Sequence, residues 1–215
     1  MELTVPDTLS IVRTISVDQE NSAEVDGRSS RWDHHRTARR LELARIARRA
    51  IHHGGPELSM DEIAAAAGTS KSIFYRYFTD KTGLQAAVGE LVLADIGAVL
   101  EEAAHSAGRP ADALRAMISA YLEMIENAPH VYRFVTRPTT DAAAPVGNFL
   151  GGITELIAAE FDGDQPPLDL AAWAAGVVGY VRGVGEWWLT NNYPVERETL
   201  AQNAAHSLWQ GKEQS

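Results

Sequence analysis

Apolar residues recur at spacings of three and four along most of this chain, and clusters rich in Pro and Gly interrupt them. Leu43, Ile46, Ala47, Ala50 and Ile51 form one such stripe, which is the pattern of a helix with a single buried face. Later interruptions read AGRP, NAP, RPTTDAAAP, DGDQPP and NNYP, which are clusters that break helices. With no run of alternating strands and no internal repeat, the sequence predicts an all-α fold.

The interruptions divide the chain into predicted helices. The first begins near Arg36 and ends at HHGGP, because Gly favours a left-handed cap and Pro cannot continue a helix. Two short helices follow, from about Asp61 to Gly68 and from Ser70 to about Phe78. Longer helices are predicted over 83–106, 110–126, 129–136, 147–161, 168–191 and 196–210. We expect an acidic, unstructured extension over 1–30, a three-helix domain over 31–82 and a larger helical domain over 83–215.

Composition narrows the class of protein. Hydrophobic residues make up 45% of the chain and charged residues 22%, which is ordinary for a globular protein. The absence of cysteine excludes disulfides and thiolate metal sites. The start lacks the basic and apolar regions of a signal peptide, and the longest apolar run, 170–181, is too short to span a bilayer. We therefore expect a cytoplasmic protein with no membrane partner and no cofactor.

The net charge of −10 is unevenly distributed. Residues 28–81 carry eleven Lys and Arg against six Asp and Glu, whereas residues 82–215 carry seven against seventeen. A basic segment on an acidic chain indicates an anionic partner for that segment alone. A solvated basic helix face is the alternative that charge by itself leaves open.

The basic segment contains two short helices around a tight turn. Ser59, followed three residues later by Glu62, forms a capping box that begins the first helix. Gly68 ends that helix, and Ser70 caps the next one. A short helix, a turn containing Gly and a second short helix together predict a helix-turn-helix.

The second short helix has two different faces. Phe74 and Phe78 are four residues apart and are predicted to be core, with Ile73 and Tyr77 beside them. Another side presents a cation, two hydroxyls and a phenol, from Lys71, Ser70, Ser72 and Tyr75. Such a face suits a DNA major groove, and the helix N-terminus offers backbone N–H groups to phosphate. Lys81 follows the helix, where it is placed to meet the phosphate backbone again.

The stretch ELSMDEIAAAAGTSKSIFYRYFTDKTGL resembles the signature of the tetracycline-repressor family over roughly residues 36–90. The shared pattern is an Ile-Ala pair, a Gly turn, a Ser-Lys start, two tyrosines followed by Phe, and a Lys shortly after. The resemblance implies a DNA-binding regulator with a helical second domain that binds a ligand and dimerises. It places usual DNA contacts at Ser59, Lys71, Ser72, Ile73, Tyr75, Tyr77 and Lys81.

The chain departs from the family pattern before the motif. If Ile51 fills the large apolar position of the first helix, the GPELS loop is one residue short. If Gly54 fills the glycine position instead, Ala50 is small where Phe or Leu is common. Met60 stands where a polar phosphate contact is often found.

Basic residues precede and open the first helix, at Arg28, Arg31, Arg36, Arg39 and Arg40. One hypothesis is that this arm follows phosphates or enters the minor groove, with Arg36 and Arg40 among the contacts. A basic stub without a role in binding is the alternative.

A stripe of small residues lies in the predicted helix 168–191, at Ala172, Gly176, Gly179 and Gly183. Because Gly costs a helix about 1 kcal/mol relative to Ala, several in one helix indicate close packing. The close neighbour is either a second copy of the chain or another helix of the same copy. The family's usual four-helix interface favours a homodimer, which a palindromic operator on double-stranded DNA would match.

The resemblance also implies an effector pocket. Large aromatic residues and flexible methionines suit an apolar cavity with a few polar anchors, although such residues are more often plain core. The candidates are Met117, Tyr121, Met124, Arg133, Phe134, Trp173, Arg182 and Trp187. Arg182 either pairs with Glu186 one turn later or anchors an acidic ligand. We expect a small apolar or amphipathic effector that releases a repressor from DNA by a population shift.

Two other classes of protein compete with a regulator. An enzyme is disfavoured because the adjacent pairs His34-His35 and His52-His53 point apart on a helix, and neither a nucleophile elbow nor a phosphate loop occurs. The second rival is a helical dimer that binds a partner protein and uses the helix-turn-helix only as scaffold.

Overall fold

The computed structural model describes residues 34–138, 145–161 and 167–213, which are helical and contain no strand. The helix α1 covers residues 34–54. The others are α2 (Met60–Ala66), α3 (Lys71–Phe78), α4 (Lys81–His105), α5 (Pro110–Asn127), α6 (Pro129–Thr136), α7 (Pro145–Glu160), α8 (Pro167–Thr190) and α9 (Arg197–Glu213). The all-α prediction is confirmed, and the predicted helix ends agree to within about three residues.

Contacts divide the chain into two compact units, Met1–Glu42 and Leu43–Ser215. In the first unit the structure describes residues 34–42, where Arg39 Nη1 donates to Glu42 Oε2 over 2.7 Å. The extension expected over 1–30 lies outside the described residues. The second unit contains the helix-turn-helix and the later helices, and a domain boundary near residue 82 stays a prediction.

Local chemistry explains where the short helices begin. The Ser59 side chain accepts a hydrogen bond from the Glu62 N–H, and the Glu62 side chain accepts one from the Ser59 N–H. This reciprocal capping box is the one predicted, and α2 begins directly after it at Met60. Proline at the first position starts α5 and α6, where its missing N–H has no helical partner to lose.

The long helix α4 lies in the core of the second unit, against α5, α6 and α7, while α5 packs against α9. Among the described helices, α4 alone is long and apolar enough to cross a membrane. Half of its most apolar stretch of 18 residues is nevertheless buried inside the protein, and Leu84, Val88 and Ile96 belong to the main hydrophobic cluster. These features are those of a core helix in a soluble protein.

The junction between α3 and α4 leaves no room for a side chain at position 83. A Cβ on Gly83 would lie 2.1 Å from the carbonyl oxygen of Phe78, which is a backbone atom and cannot swing away. Asp80 caps α4 by accepting a hydrogen bond from the Gly83 N–H over 2.8 Å. This backbone contact fixes the direction in which α4 leaves the helix-turn-helix.

Candidate nucleic-acid interface

The turn between α2 and α3 depends on a left-handed residue. Gly68 adopts a φ of +61°, which glycine tolerates without steric cost. The Ser70 side chain then accepts a hydrogen bond from the Ile73 N–H, and Ser70 Oγ lies 3.1 Å from Ser72 Oγ. The first turn of α3 therefore begins with two hydroxyls at the surface, as the sequence predicted.

The back of α3 is core. Phe74 and Phe78 are 0% and 2% exposed, and their ring centroids are 4.9 Å apart. Both phenylalanines were predicted to be core, and this is confirmed. Ile73 and Tyr77 are half-buried beside them.

The front of α3 is exposed and polar. Lys71, Ser72 and Tyr75 all face solvent, and the Lys71 ammonium lies 5.6 Å from the centre of the Tyr75 ring. Lys71 Nζ also donates to Asp61 Oδ2 over 2.7 Å, and this hydrogen bond raises the pKa of Lys71 above its ordinary value. Because both partners are exposed, water screens the pair and Lys71 can exchange it for a phosphate at little cost.

Other candidate contacts lie around this face. Ser59 is exposed but its hydroxyl is already engaged by Glu62. Lys81 is half-buried, and its Nζ lies 3.4 Å from the Glu57 carbonyl oxygen and 5.9 Å from the centre of the Phe134 ring. Sequence reasoning did not select Arg76, which is exposed with its guanidinium 5.4 Å from the centre of the Tyr77 ring.

Residues on α1 and at the start of α2 include both buried apolar and exposed basic side chains. In α1, Ile51 is a large apolar residue that is fully buried, while Ala50 is half-buried. Met60 is 5% exposed and belongs to the core. Of the basic arm, Arg36 is exposed and Arg40 half-buried. Arg28 and Arg31 lie outside the described residues.

Four polar contacts connect α6 and the following Arg137 to α1, the α1–α2 loop and α4. Arg137 Nη1 donates to Glu57 Oε2 over 2.6 Å, which lowers the pKa of Glu57. The buried Gln85 donates to the carbonyl oxygens of Val135 and Arg137, over 3.3 and 2.8 Å. At the other end of α6, His130 Nδ1 lies 3.1 Å from the carbonyl oxygen of His52. Residues 130 and 137 therefore contact the last turn of α1 and the α1–α2 loop respectively.

A cavity of about 540 Å³ lies between α1, α4, α5 and α6. Its wall is mainly apolar, from Val92, Ile96, Val99, Ala120, Met124 and Val131. This volume is within the range typical of small-molecule sites. Of the eight residues that the sequence suggested for an effector, only Met124 lines this cavity.

The remaining candidates are scattered. Met117 and Tyr121 line a second cavity of only about 30 Å³, and Tyr121 is linked to Tyr132 through their hydroxyls over 3.3 Å. Burial raises the pKa of both tyrosines. Arg182 Nε donates to Glu186 Oε1 over 2.8 Å, which is the commoner of the two fates considered for it. The other four are exposed Arg133 and Trp187, buried Phe134 and half-buried Trp173.

The stripe of small residues on α8 faces outward. Ala172, Gly176, Gly179 and Gly183 are all exposed, and a Cβ placed on any of the three glycines would meet nothing within 4 Å. The tight packing that would explain these glycines is therefore absent among the described residues. Trp187, 48% exposed, extends the same stripe by one turn.

Comparisons with known proteins agree with this architecture. The family model of tetracyclin repressor-like C-terminal domains matches residues 99–214, more than half of the chain. The model of bacterial regulatory proteins of the tetR family matches residues 43–88. An uncharacterized HTH-type transcriptional regulator of Mycobacterium tuberculosis is 41% identical over 115 residues, or 53% of this chain and 49% of that protein. The chain thus spans about half the length of this curated relative.

Two further proteins align with this chain over a larger share of their length. The HTH-type transcriptional activator FasR of Mycolicibacterium smegmatis is 24% identical over 169 residues, or 75% of this chain and 76% of that protein. The transcriptional regulator FadR from Bacillus subtilis, solved in complex with stearoyl-CoA, has a TM-score of 0.63 and 13% identity, covering 78% of this chain and 96% of that one. At that identity the likeness shows the fold alone. This chain therefore belongs to the tetracycline-repressor family.

Proposed function

We propose that this regulator is a homodimeric repressor that binds a palindromic operator and releases it when a small apolar or amphipathic effector binds. The observation that carries the proposal is the contrast across α3, where two buried phenylalanines fix a helix whose front is exposed and polar. A helix held in this way presents its side chains to a groove without first having to become ordered.

The proposed reading of DNA uses the two ends of that face. Lys71 and Ser72 stand at the N-terminal end of α3, where the helix dipole also favours phosphate. Tyr75 stands one turn later, within reach of a phosphate or a base edge. Ser70, Ile73, Tyr77 and Lys81 would complete the contact, with Arg36 and Arg40 on the arm.

The proposed dimer uses the outward stripe of α8. Exposed glycines let a second helix approach backbone to backbone, and the neighbouring Trp187 would lose its exposed apolar surface. A two-fold dimer places two copies of α3 on successive half-sites, so that the operator is a palindrome. The effector then acts by favouring a dimer in which the two copies of α3 have a different spacing.

Repression rather than activation rests on the family resemblance. FasR is named as an activator, so the direction of control is to be measured on this protein's own operator. A reporter gene under that operator should be expressed more strongly when the regulator is deleted. Weaker expression after deletion would mean activation.

Selection of bound DNA from a random pool tests the proposal directly. It should return a palindrome whose half-sites lie about one helical turn, or a multiple of it, apart. The double variant Lys71→Ala/Tyr75→Ala should lose that binding while keeping the helical content and melting temperature of the original. Enrichment of no duplex sequence in dilute buffer would overturn the proposal.

A further inference from the structure

The large cavity has a feature that its apolar wall does not explain. Arg48, Arg49 and His52, all on α1, line it together with the apolar side chains of α4, α5 and α6. The small cavity in the four-helix core, at about 30 Å³, holds little more than a water molecule. Of these two cavities, the larger therefore lies beside the helix that supports the helix-turn-helix.

The formal charges that line this cavity balance, but one of its two arginines has no acidic partner among the described residues. Two acids also line it, but Asp95 is already paired with Arg48, and Glu123 lies 3.5 Å from Arg197 Nη1. Arg49 has no hydrogen bond or ion pair with any residue in the described part of the chain, and it is exposed. A free guanidinium at the mouth of an apolar cavity is complementary to an apolar molecule with one negatively charged end.

We propose that the effector of this regulator is an amphipathic anion whose apolar part fills this cavity and whose charged group binds Arg49 at its mouth. The inference rests on the proposed function and specifies its ligand site. The shared chemistry is a single carboxylate, sulfate or phosphate on an apolar body, and Arg48 could offer a second donor by leaving Asp95.

A ligand in this cavity would contact two helices, α1 and α6, that connect to the DNA-reading region. The cations belong to α1, whose buried Leu43, Ala47 and Ile51 pack into the same core as Phe74. Val131 and Tyr132 of α6 form another wall; α6 contacts His52 through His130, and Arg137 directly after it pairs with Glu57. A molecule that binds between α1 and α6 and fixes the distance between them therefore biases the position of the helix-turn-helix.

Calorimetry on the full chain without DNA tests the site. The ligands are decanoate, decyl sulfate, decan-1-ol and decylammonium, which share one alkyl chain and differ in their charged group. We expect decanoate or decyl sulfate to bind about three- to tenfold more tightly than decan-1-ol, since the ion pair is partly exposed. Decylammonium should bind the weakest.

Matched variants locate the binding. Arg49→Gln should remove the preference for the anions, whereas Arg45→Gln, which removes the same charge one turn earlier on α1, should not. Ala120→Phe should weaken every ligand at least about tenfold by filling the cavity. Ala98→Phe, on an exposed part of α4 outside the cavity, is its control, and Val99→Phe is a second filling variant at a site that is 50% exposed.

The outcomes separate the site from the proposed function. Equal affinity for decanoate, decyl sulfate and decan-1-ol, or unchanged affinity in both filling variants, would overturn the ligand site even if the protein binds its operator. A preference for anions that is lost in Arg49→Gln, together with weaker binding of every ligand in the filling variants, supports the site even if no operator is found. Release of operator DNA by the same anions would support both.

Discussion

The outward faces of α3 and α8 are both exposed, yet they have opposite chemistry. On α3 the face carries Lys71 and Tyr75, whose side chains extend into solvent. On α8 it carries Gly176 and Gly179, which have no side chain. The backs of both helices are buried to a similar degree, with Phe74 and Trp188 at 0% and 1% exposure. Burial therefore fixes both helices, and the outward residues decide the kind of partner.

The physical reason lies in what each partner demands. DNA is charged and hydrated, so the face that meets it needs long polar side chains that replace water around phosphates. A second copy of α8 is apolar and helical, so the face that meets it gains most from the absence of side chains. The same exposure on two helices thus leads to two different proposals.

The largest expected effect tests whether the back of α3 holds its front in place. Phe74→Ala removes a fully buried ring and should lower the free energy of unfolding by about 3–5 kcal/mol. Tyr75→Ala, at the adjacent and exposed position, should change it by less than about 0.5 kcal/mol. Urea titration followed by circular dichroism measures both. Equal losses in the two variants would remove the distinction between back and front.

The next effect tests the face of α8. Gly179→Glu adds an acid where nothing lies within 4 Å, so the monomer should fold normally. On the proposed dimer, two such acids would meet near the two-fold axis and raise the dissociation constant at least about 100-fold. Sedimentation at several concentrations measures this constant, and Ala98→Glu on the exposed side of α4 is the control. An unchanged dimer, or a protein that is already monomeric, would remove α8 as the interface.

Gly83 lies in a crowded place and Gly176 in an open one, so alanine should change the free energy of unfolding in opposite directions at the two positions. Both changes should be smaller than the effects above. Gly83→Ala forces a Cβ against the Phe78 carbonyl and should lower the free energy of unfolding by about 1–3 kcal/mol. Gly176→Ala meets open space within a helix and should raise it by about 1 kcal/mol. Both are best measured in the Gly179→Glu background, where dimerisation does not contribute. A loss at Gly176 there would show that this glycine packs within the monomer.

The smallest effect refines the face of α3. Asp61→Asn frees Lys71 and removes a negative charge beside the proposed phosphate contacts, so affinity for non-specific duplex DNA should rise about two- to threefold. Asp112→Asn, which breaks an exposed pair with Arg109 on α5, should leave that affinity unchanged. Fluorescence anisotropy at several salt concentrations measures both. Weaker binding by Asp61→Asn would mean that the ion pair positions Lys71 for DNA.

Much of the fold was predictable because its causes are local. The capping box at Ser59, the turn at Gly68 and the cap at Ser70 each act within a few residues, so the pattern of the chain is enough to find them. The burial of Phe74 and Phe78 was predictable for the same reason, since four-residue spacing places them on one side of α3.

The effector candidates show where this reasoning stops. Met124 was chosen as a flexible apolar residue and lines the cavity, yet Phe134 was chosen as an aromatic one and lies in the core. Val92 and Ile96 look like ordinary core residues in the sequence and are buried, but each also lines the cavity. Whether an apolar residue meets a neighbour or a cavity depends on how far apart the helices lie, and no local pattern records that distance.

The sequence by itself determined the helices, the turn chemistry and the two faces of α3, because hydrogen bonds and periodicity act along the chain. It also revealed the stripe of small residues on α8. Only the tertiary structure showed that this stripe faces outward and that Arg49 stands free at the mouth of a cavity beneath α1. The first fact depends on the packing of α8 against α5, α7 and α9, and the second on the separation of α1 from α4, α5 and α6. These helices are distant in sequence and are brought together by burial of a shared core.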